Sequence, residues 1–230
     1  MPLTVIKNAK LRRVLKYVLI FAAVPAAVLA GVLFAKSGHY AAICAVIAAA
    51  SLLVFFCGFE KRKTGTRRLV LIAVFTALAV AGRFIPLFKP STAVIILAGM
   101  YLGSEAGFFT GVLFALISDM YFGLGPWTPF QMFAWGLAGF FAGALSAKLE
   151  NSKILLASFA AFCGVAYSFV MDIWTVMWYN GAFEPALYKT ALITAVPFTV
   201  LYAVTNAVFL LLLKNSFGRK MKRIKLNYGI

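Results

Sequence analysis

At 230 residues, of which 63% are hydrophobic and only 12% charged, with a mean hydropathy of +0.96, the chain lies far outside globular usage and takes lipid as its solvent. Its formal net charge of +16 comes from basic residues that abut apolar runs and are not interleaved with exposed aromatics. That distribution argues against a nucleic acid partner and for the anionic headgroups of membrane lipid.

A helix needs about 20 apolar residues to cross a bilayer core. Eight runs are predicted, at 14–35, 40–59, 69–84, 92–102, 106–122, 130–147, 154–178 and 187–213. None alternates apolar with polar over ten residues, so the expected fold is all-α, a polytopic membrane helix bundle and not a barrel. The fourth run is too short to span comfortably unless it extends into its flanks. The first run has no cleavage pattern of a signal peptide and is followed at once by another apolar stretch, so it is expected to stay.

Basic residues resist translocation and collect in cytoplasmic loops. With eight spans and both termini inside, 18 of the 22 lysines and arginines fall on the cytoplasmic side, leaving Lys36, Arg83, Lys89 and Lys189 outside. The chain then divides into a basic N-terminal segment with an accessory hairpin (1–59), a cytoplasmic basic linker (60–68), a six-span core (69–214) and a cytoplasmic basic tail (215–230). The hairpin is rich in Ala, Val, Leu and Ile and carries no intramembrane charge, which reads as scaffold.

In the third run Ala73, Ala77 and Ala81 share one face. Gly103, Gly107 and Gly111 follow across a short inner turn, and Gly139 with Gly143 comes later. Small residues four apart let helices approach closely in lipid; such stripes either hold a bundle together or dock a second membrane protein. Asp119, Asp172 and Asn206 lie at lipid depth, where an unpaired charge costs roughly 2.5–3.5 kcal/mol, so they must face the interior, water or a partner. Arg83 is the natural ionic partner for one of the aspartates, either as a structural salt bridge or as a substrate contact.

The stretch YFGLGPWTPFQMFAW is the most distinctive in the chain. Its glycines and prolines set a turn, Thr128 is a candidate helix cap, and Trp127, Gln131 and Trp135 are spaced to share a helical face. They form either a ligand wall or part of an interfacial aromatic belt, a role that also suits Trp174, Trp178 and Tyr179. Cys44, Cys57 and Cys163 sit inside apolar runs and read as small hydrophobes, and the single His39 has no carboxylate at ligand spacing, so no metal site is expected.

From about Arg68 to Leu213 the chain resembles the substrate-specific S components of energy-coupling factor (ECF) vitamin transporters. The resemblance rests on the order RLVLIAVFTALAVAGRFIP, then AVIILAGMYLGSEAGFFTGVLFALISDMYFGLGPWTPFQMFAWGLAGFFAGALS. It implies a subunit of the cell membrane that binds a vitamin on its outer face and topples against a transmembrane T component, with two ATPase subunits supplying the energy. The absence of G-x-x-x-x-G-K-[ST] from the sequence agrees with that division of labour, and the chain itself is not expected to be an enzyme or to hold an intrinsic cofactor. The resemblance implies that Ala73, Ala77 and Ala81 face the T component, that RFIPLFKP acts as a lid, and that the loop 179–188 covers the other side. The N-terminal hairpin is additional to the family's six helices.

The expected substrate contacts are Arg83, Phe88, Tyr121, Trp127, Gln131, Trp135, Asp172 and Trp178. GPWTPFQMFAWG is similar to S components associated with cobalamin uptake, making cobalamin the expected ligand, with another vitamin or a modified-base precursor as alternatives. A membrane-embedded enzyme is the rival of another class, and it would need donors and acceptors clustered at mechanism spacing, which the sequence lacks.

Overall fold

The computed structural model describes residues 9–26, 46, 50, 65–86, 88–181 and 183–228. All of the predicted second span but residues 46 and 50, most of the linker and the end of the first span lie outside these residues. Everything described is helix or short connection: α1 (Ala9–Val18), continued by a π-helical stretch at Leu19–Ala23, then α2 (Gly65–Arg83), α3 (Ser91–Leu102), α4 (Ser104–Phe122), α5 (Thr128–Ala144), α6 (Ser146–Asn151), α7 (Lys153–Asn180) and α8 (Pro185–Tyr228). Among the described residues, α4, α7 and α8 are long and apolar enough to cross a membrane.

The short fourth run explains itself once its surroundings are known. α3 has 12 residues, 11 of them buried, and it packs against α2, α4, α5, α7 and α8. A helix wrapped in protein has no hydrocarbon to match, so the length rule for a lipid-facing span does not bind it. Gly103 alone separates α3 from α4. Its φ of +96° is a left-handed conformation that other residues rarely adopt, and it turns the chain back within one residue. Arg68 fastens this corner, donating to the Leu102 carbonyl and lying 3.8 Å from Glu105.

The glycine stripes lie at the densest crossing in the bundle. A Cβ on Gly139 of α5 would land on the Gly107 carbonyl of α4, one on Gly107 would land on Gly139, and one on Gly99 of α3 would also strike Gly139. Three backbones therefore meet without side chains between them, which is how helices gain contact where lipid removes the hydrophobic incentive. Ala73, Ala77 and Ala81 have the same spacing but lie on the exposed face of α2, flanked by the exposed Val70, Val74 and Leu78. One stripe closes the bundle and the other is left open.

Several helix ends differ from the predicted runs. α5 stops at Ala144, and the chain bends at Leu145 into the short α6, whose last carbonyls, at Leu149 and Glu150, accept from the Lys214 ammonium. α7 starts at Lys153, with the Ser152 hydroxyl accepting from the Leu155 N–H at 3.2 Å. α8 runs unbroken through Pro197 into the basic tail. Its 44 residues make about 66 Å of helix, more than twice a bilayer core. α7 and α8 pack along each other, their approach eased at Gly164, where a Cβ would come within 2.8 Å of the Ala203 nitrogen. The N-terminal segment joins the core through Ile20 and Val24, both fully buried, and through Phe21, whose ring lies 5.9 Å from that of Phe140.

Candidate functional site

The site grows from the charge that the membrane tolerates least. Asp119, at the end of α4, is fully buried, and it is surrounded by donors from two other helices, α2 and α5. The Arg83 guanidinium, from the last residue of α2, donates to Asp119 Oδ1 at 2.6 Å and also to the Ser118 hydroxyl. The Thr128 hydroxyl donates to Asp119 Oδ2 at 2.7 Å while accepting from the Gly125 N–H at 3.2 Å. In the orientation that satisfies both of its ends, the Gln131 amide donates to the two carboxylate oxygens at 3.1 and 3.0 Å and accepts from the Tyr167 hydroxyl at 3.2 Å. Every lone pair of the carboxylate is engaged, which is what holds a charge at this depth.

Thr128 differs from its predicted part. It opens α5 but caps nothing: with Pro129 next, the first turn has one fewer N–H to satisfy, and the hydroxyl is free to hold Asp119. Trp127 does join the helical turn, with the Gln131 N–H donating to its carbonyl at 3.1 Å.

Beside this network a cleft of about 60 Å³ opens between the helices. Its walls come from Arg83, Lys89, Ser91, Thr92, Phe114, Trp135, Gly164, Tyr167, Tyr202 and Asn206, so α2, α3, α4, α5, α7 and α8 each contribute. Trp135 stacks on Tyr167 with ring centres 4.6 Å apart and planes 23° apart. Its indole N–H donates to the Thr92 hydroxyl at 3.2 Å, and Phe114 meets it edge-on at 4.6 Å. The guanidinium of Arg83 lies 5.6 Å from the Trp135 ring centre and 5.0 Å from that of Phe122, so it is neutralised by Asp119 on one side and faces π-clouds on the other. The result is an aromatic slot with hydroxyl, amide and ammonium groups at its edges.

Of the expected contacts, Arg83 and Trp135 line this cleft and Gln131 lies in the network beside it. The others are placed elsewhere. Tyr121 is 71% exposed and packs on Phe84, Phe88 is exposed in the connection from α2 to α3, and Trp127 turns its ring edge-on to Trp174 at 5.7 Å. Trp178 stacks on Trp174 at 6.2 Å near the end of α7. Asp172, on the same helix, has no partner for its buried Oδ2 among the described residues and does not meet Arg83. Tyr167, Tyr202 and Thr92 were not anticipated, because an aromatic or a threonine inside an apolar run looks the same whether it faces lipid or a cleft.

Residues 63–219 match the family model described as ECF-type riboflavin transporter, S component. Comparison with curated proteins and with solved structures yielded no match.

Proposed function

The chain belongs to the ECF-type riboflavin transporter S component family, and from that premise we propose that its cleft captures a flavin for import. S components are substrate-binding membrane subunits without enzymatic activity, and the family implies a T component and ATPase partners. The observation that carries the flavin reading is the stacked Trp135–Tyr167 pair, a flat aromatic wall suited to a planar ring system. Thr92, Asn206 and Lys89 stand at its edges to meet carbonyl, N–H and hydroxyl groups. Cobalamin has less support: Thr128 and Gln131, from the stretch that pointed to it, are committed to holding Asp119, and the Gly125 N–H to holding Thr128.

The cleft is far smaller than the roughly 300 Å³ at the lower end of small-molecule sites, so loading requires its walls to part, the role that the family resemblance gives to the RFIPLFKP connection carrying Lys89. In this reading the cleft opens to the cell exterior and the end that bears Arg68, Lys148, Lys214 and Lys222 lies in the cytoplasm, consistent with the excess of basic residues there.

Titration of the purified chain with riboflavin tests the proposal, because stacking on Trp135 quenches flavin fluorescence. Trp135→Ala should weaken binding by about 5- to 150-fold, the range expected for loss of one aromatic stacking partner worth roughly 1–3 kcal/mol. Absence of quenching by the parent chain, with cobalamin absorbance retained after purification, would replace flavin by cobalamin; chemical turnover by the isolated chain would defeat the transport reading altogether.

The open Ala73, Ala77 and Ala81 face is the proposed seat of the T component. Ala77→Trp should cut co-purification with a T component more than about tenfold while flavin affinity stays within about twofold, because the side chain points away from the cleft. Loss of both would make the stripe part of the fold.

A further inference from the structure

At the end of the bundle away from the cleft, a second opening of about 330 Å³ lies between the end of α3, α6 and the distal part of α8. Tyr101 and Thr92 sit nine residues apart on α3, so the two openings are separated by about 14 Å of helix. Tyr101, Glu150, Lys214, Gly218, Arg219 and Lys222 supply its walls, three cations against one carboxylate.

Two of the cations are partly occupied. Lys214 donates to the Leu149 and Glu150 carbonyls at 3.4 and 2.7 Å, and Lys222 pairs with Glu150 at 2.8 Å. Arg219 has neither a hydrogen bond nor an ion pair among the described residues. Tyr101 is the independent sign of a ligand. Its side chain is buried, at 6% exposure, and its hydroxyl reaches this opening across Gly218, where a Cβ would come within 2.7 Å of it. It too has no hydrogen-bond partner among the described residues. The ring is held in the core while the hydroxyl opens into the notch, where the neighbouring charged groups are predominantly donors.

A phenol O–H, a forked guanidinium and an ammonium converging on one space call for a ligand that is anionic, compact and made of acceptors. We propose that this notch binds a phosphate group, carried either by the headgroup of an anionic lipid or by a soluble phosphate. The glycine at 218 leaves the space open, and the long α8 brings Arg219 and Lys222 to it on adjacent turns. Occupation would tie the distal half of α8 to the end of α3.

Delipidated full-length chain, exposed to equal amounts of phosphatidylglycerol and phosphatidylcholine and examined by native mass spectrometry, separates the sources when paired with titration by inorganic phosphate. The parent chain should retain phosphatidylglycerol about tenfold over phosphatidylcholine. The Arg219→Gln/Lys222→Gln double variant should bring that ratio near one, and Tyr101→Phe should lower it about threefold, with elution profile and thermal midpoint unchanged. Binding of inorganic phosphate that is lost in the same variants, without a lipid preference, assigns the site to a soluble phosphate. Gly218→Val, which fills the notch while leaving every charge in place, must abolish whichever binding is seen. If neither probe distinguishes the parent chain from these variants, the proposal is wrong.

Discussion

Asp119→Ala should destabilise the protein by about 3–5 kcal/mol, seen as a large fall in the thermal midpoint of the solubilised chain and in its folded yield. The carboxylate is fully buried and accepts from Arg83, Thr128 and Gln131, so its removal strands a guanidinium, a hydroxyl and an amide together. Asp119→Asn should recover part of the loss, since an amide oxygen still accepts from Thr128 but leaves the guanidinium uncompensated. The informative variant is the double replacement Arg83→Leu/Asp119→Leu. Exchange of a buried ion pair for apolar residues is often neutral, so the part of the loss due to the stranded guanidinium should return, leaving a residual deficit of about 1–3 kcal/mol for each of the Thr128 hydroxyl and the Gln131 amide. Flavin binding is then measured on the folded fraction. Recovery of affinity along with stability makes the pair a structural bridge, whereas stability without affinity makes Arg83 a substrate contact, which resolves the two roles that its position at the cleft wall allows.

Much of this arrangement is legible in the sequence. The cost of charge in lipid singled out Arg83, Asp119 and Asp172, and the rule that such groups must pair predicted an Arg–Asp bridge. Which aspartate it would be was not legible, because that depends on how α4 and α7 are rotated about their axes, a property of packing that hydropathy does not encode. Asp119 sits where α2, α4 and α5 converge, and Asp172 is turned away on α7. The same blindness hid Tyr167 and Tyr202, which stand among Val, Phe and Ala, where a tyrosine reads as one more apolar residue. The short run at 92–102 was located almost to the residue, but its length made sense only after its neighbours were known to be protein on every side. Spacing alone likewise could not tell the buried glycine stripe from the exposed alanine stripe.

That last ambiguity yields the other large expected effect. Gly139→Val should cost about 4 kcal/mol or more and leave little monodisperse protein on size-exclusion chromatography, whereas Ala77→Val, an enlargement on the same four-residue spacing, should stay within about 0.5 kcal/mol. At Gly139 the first added carbon already collides with the Gly107 carbonyl, which is backbone and has no rotamer to escape into. Relief requires α4 and α5 to separate along their whole crossing, and α3 is drawn in because Gly99 closes on the carbonyl of Gly139 itself. Such separation would also pull apart the groups that depend on this crossing: α4 carries Asp119, and α5 carries Thr128, Gln131 and Trp135. A compensating cut is unavailable, since both contacts at the crossing are already glycine. The mildest loss is therefore expected of Gly136→Ala, one turn away, where the nearest atoms are the Phe108 ring at 3.0 Å and a Val112 methyl at 3.2 Å and side chains can shift. A graded loss from Gly136→Ala to Gly139→Ala to Gly139→Val, measured as folded yield, would place the assembly of the site on the closeness of these backbones; equal tolerance of all three would mean the helices pack at some other distance.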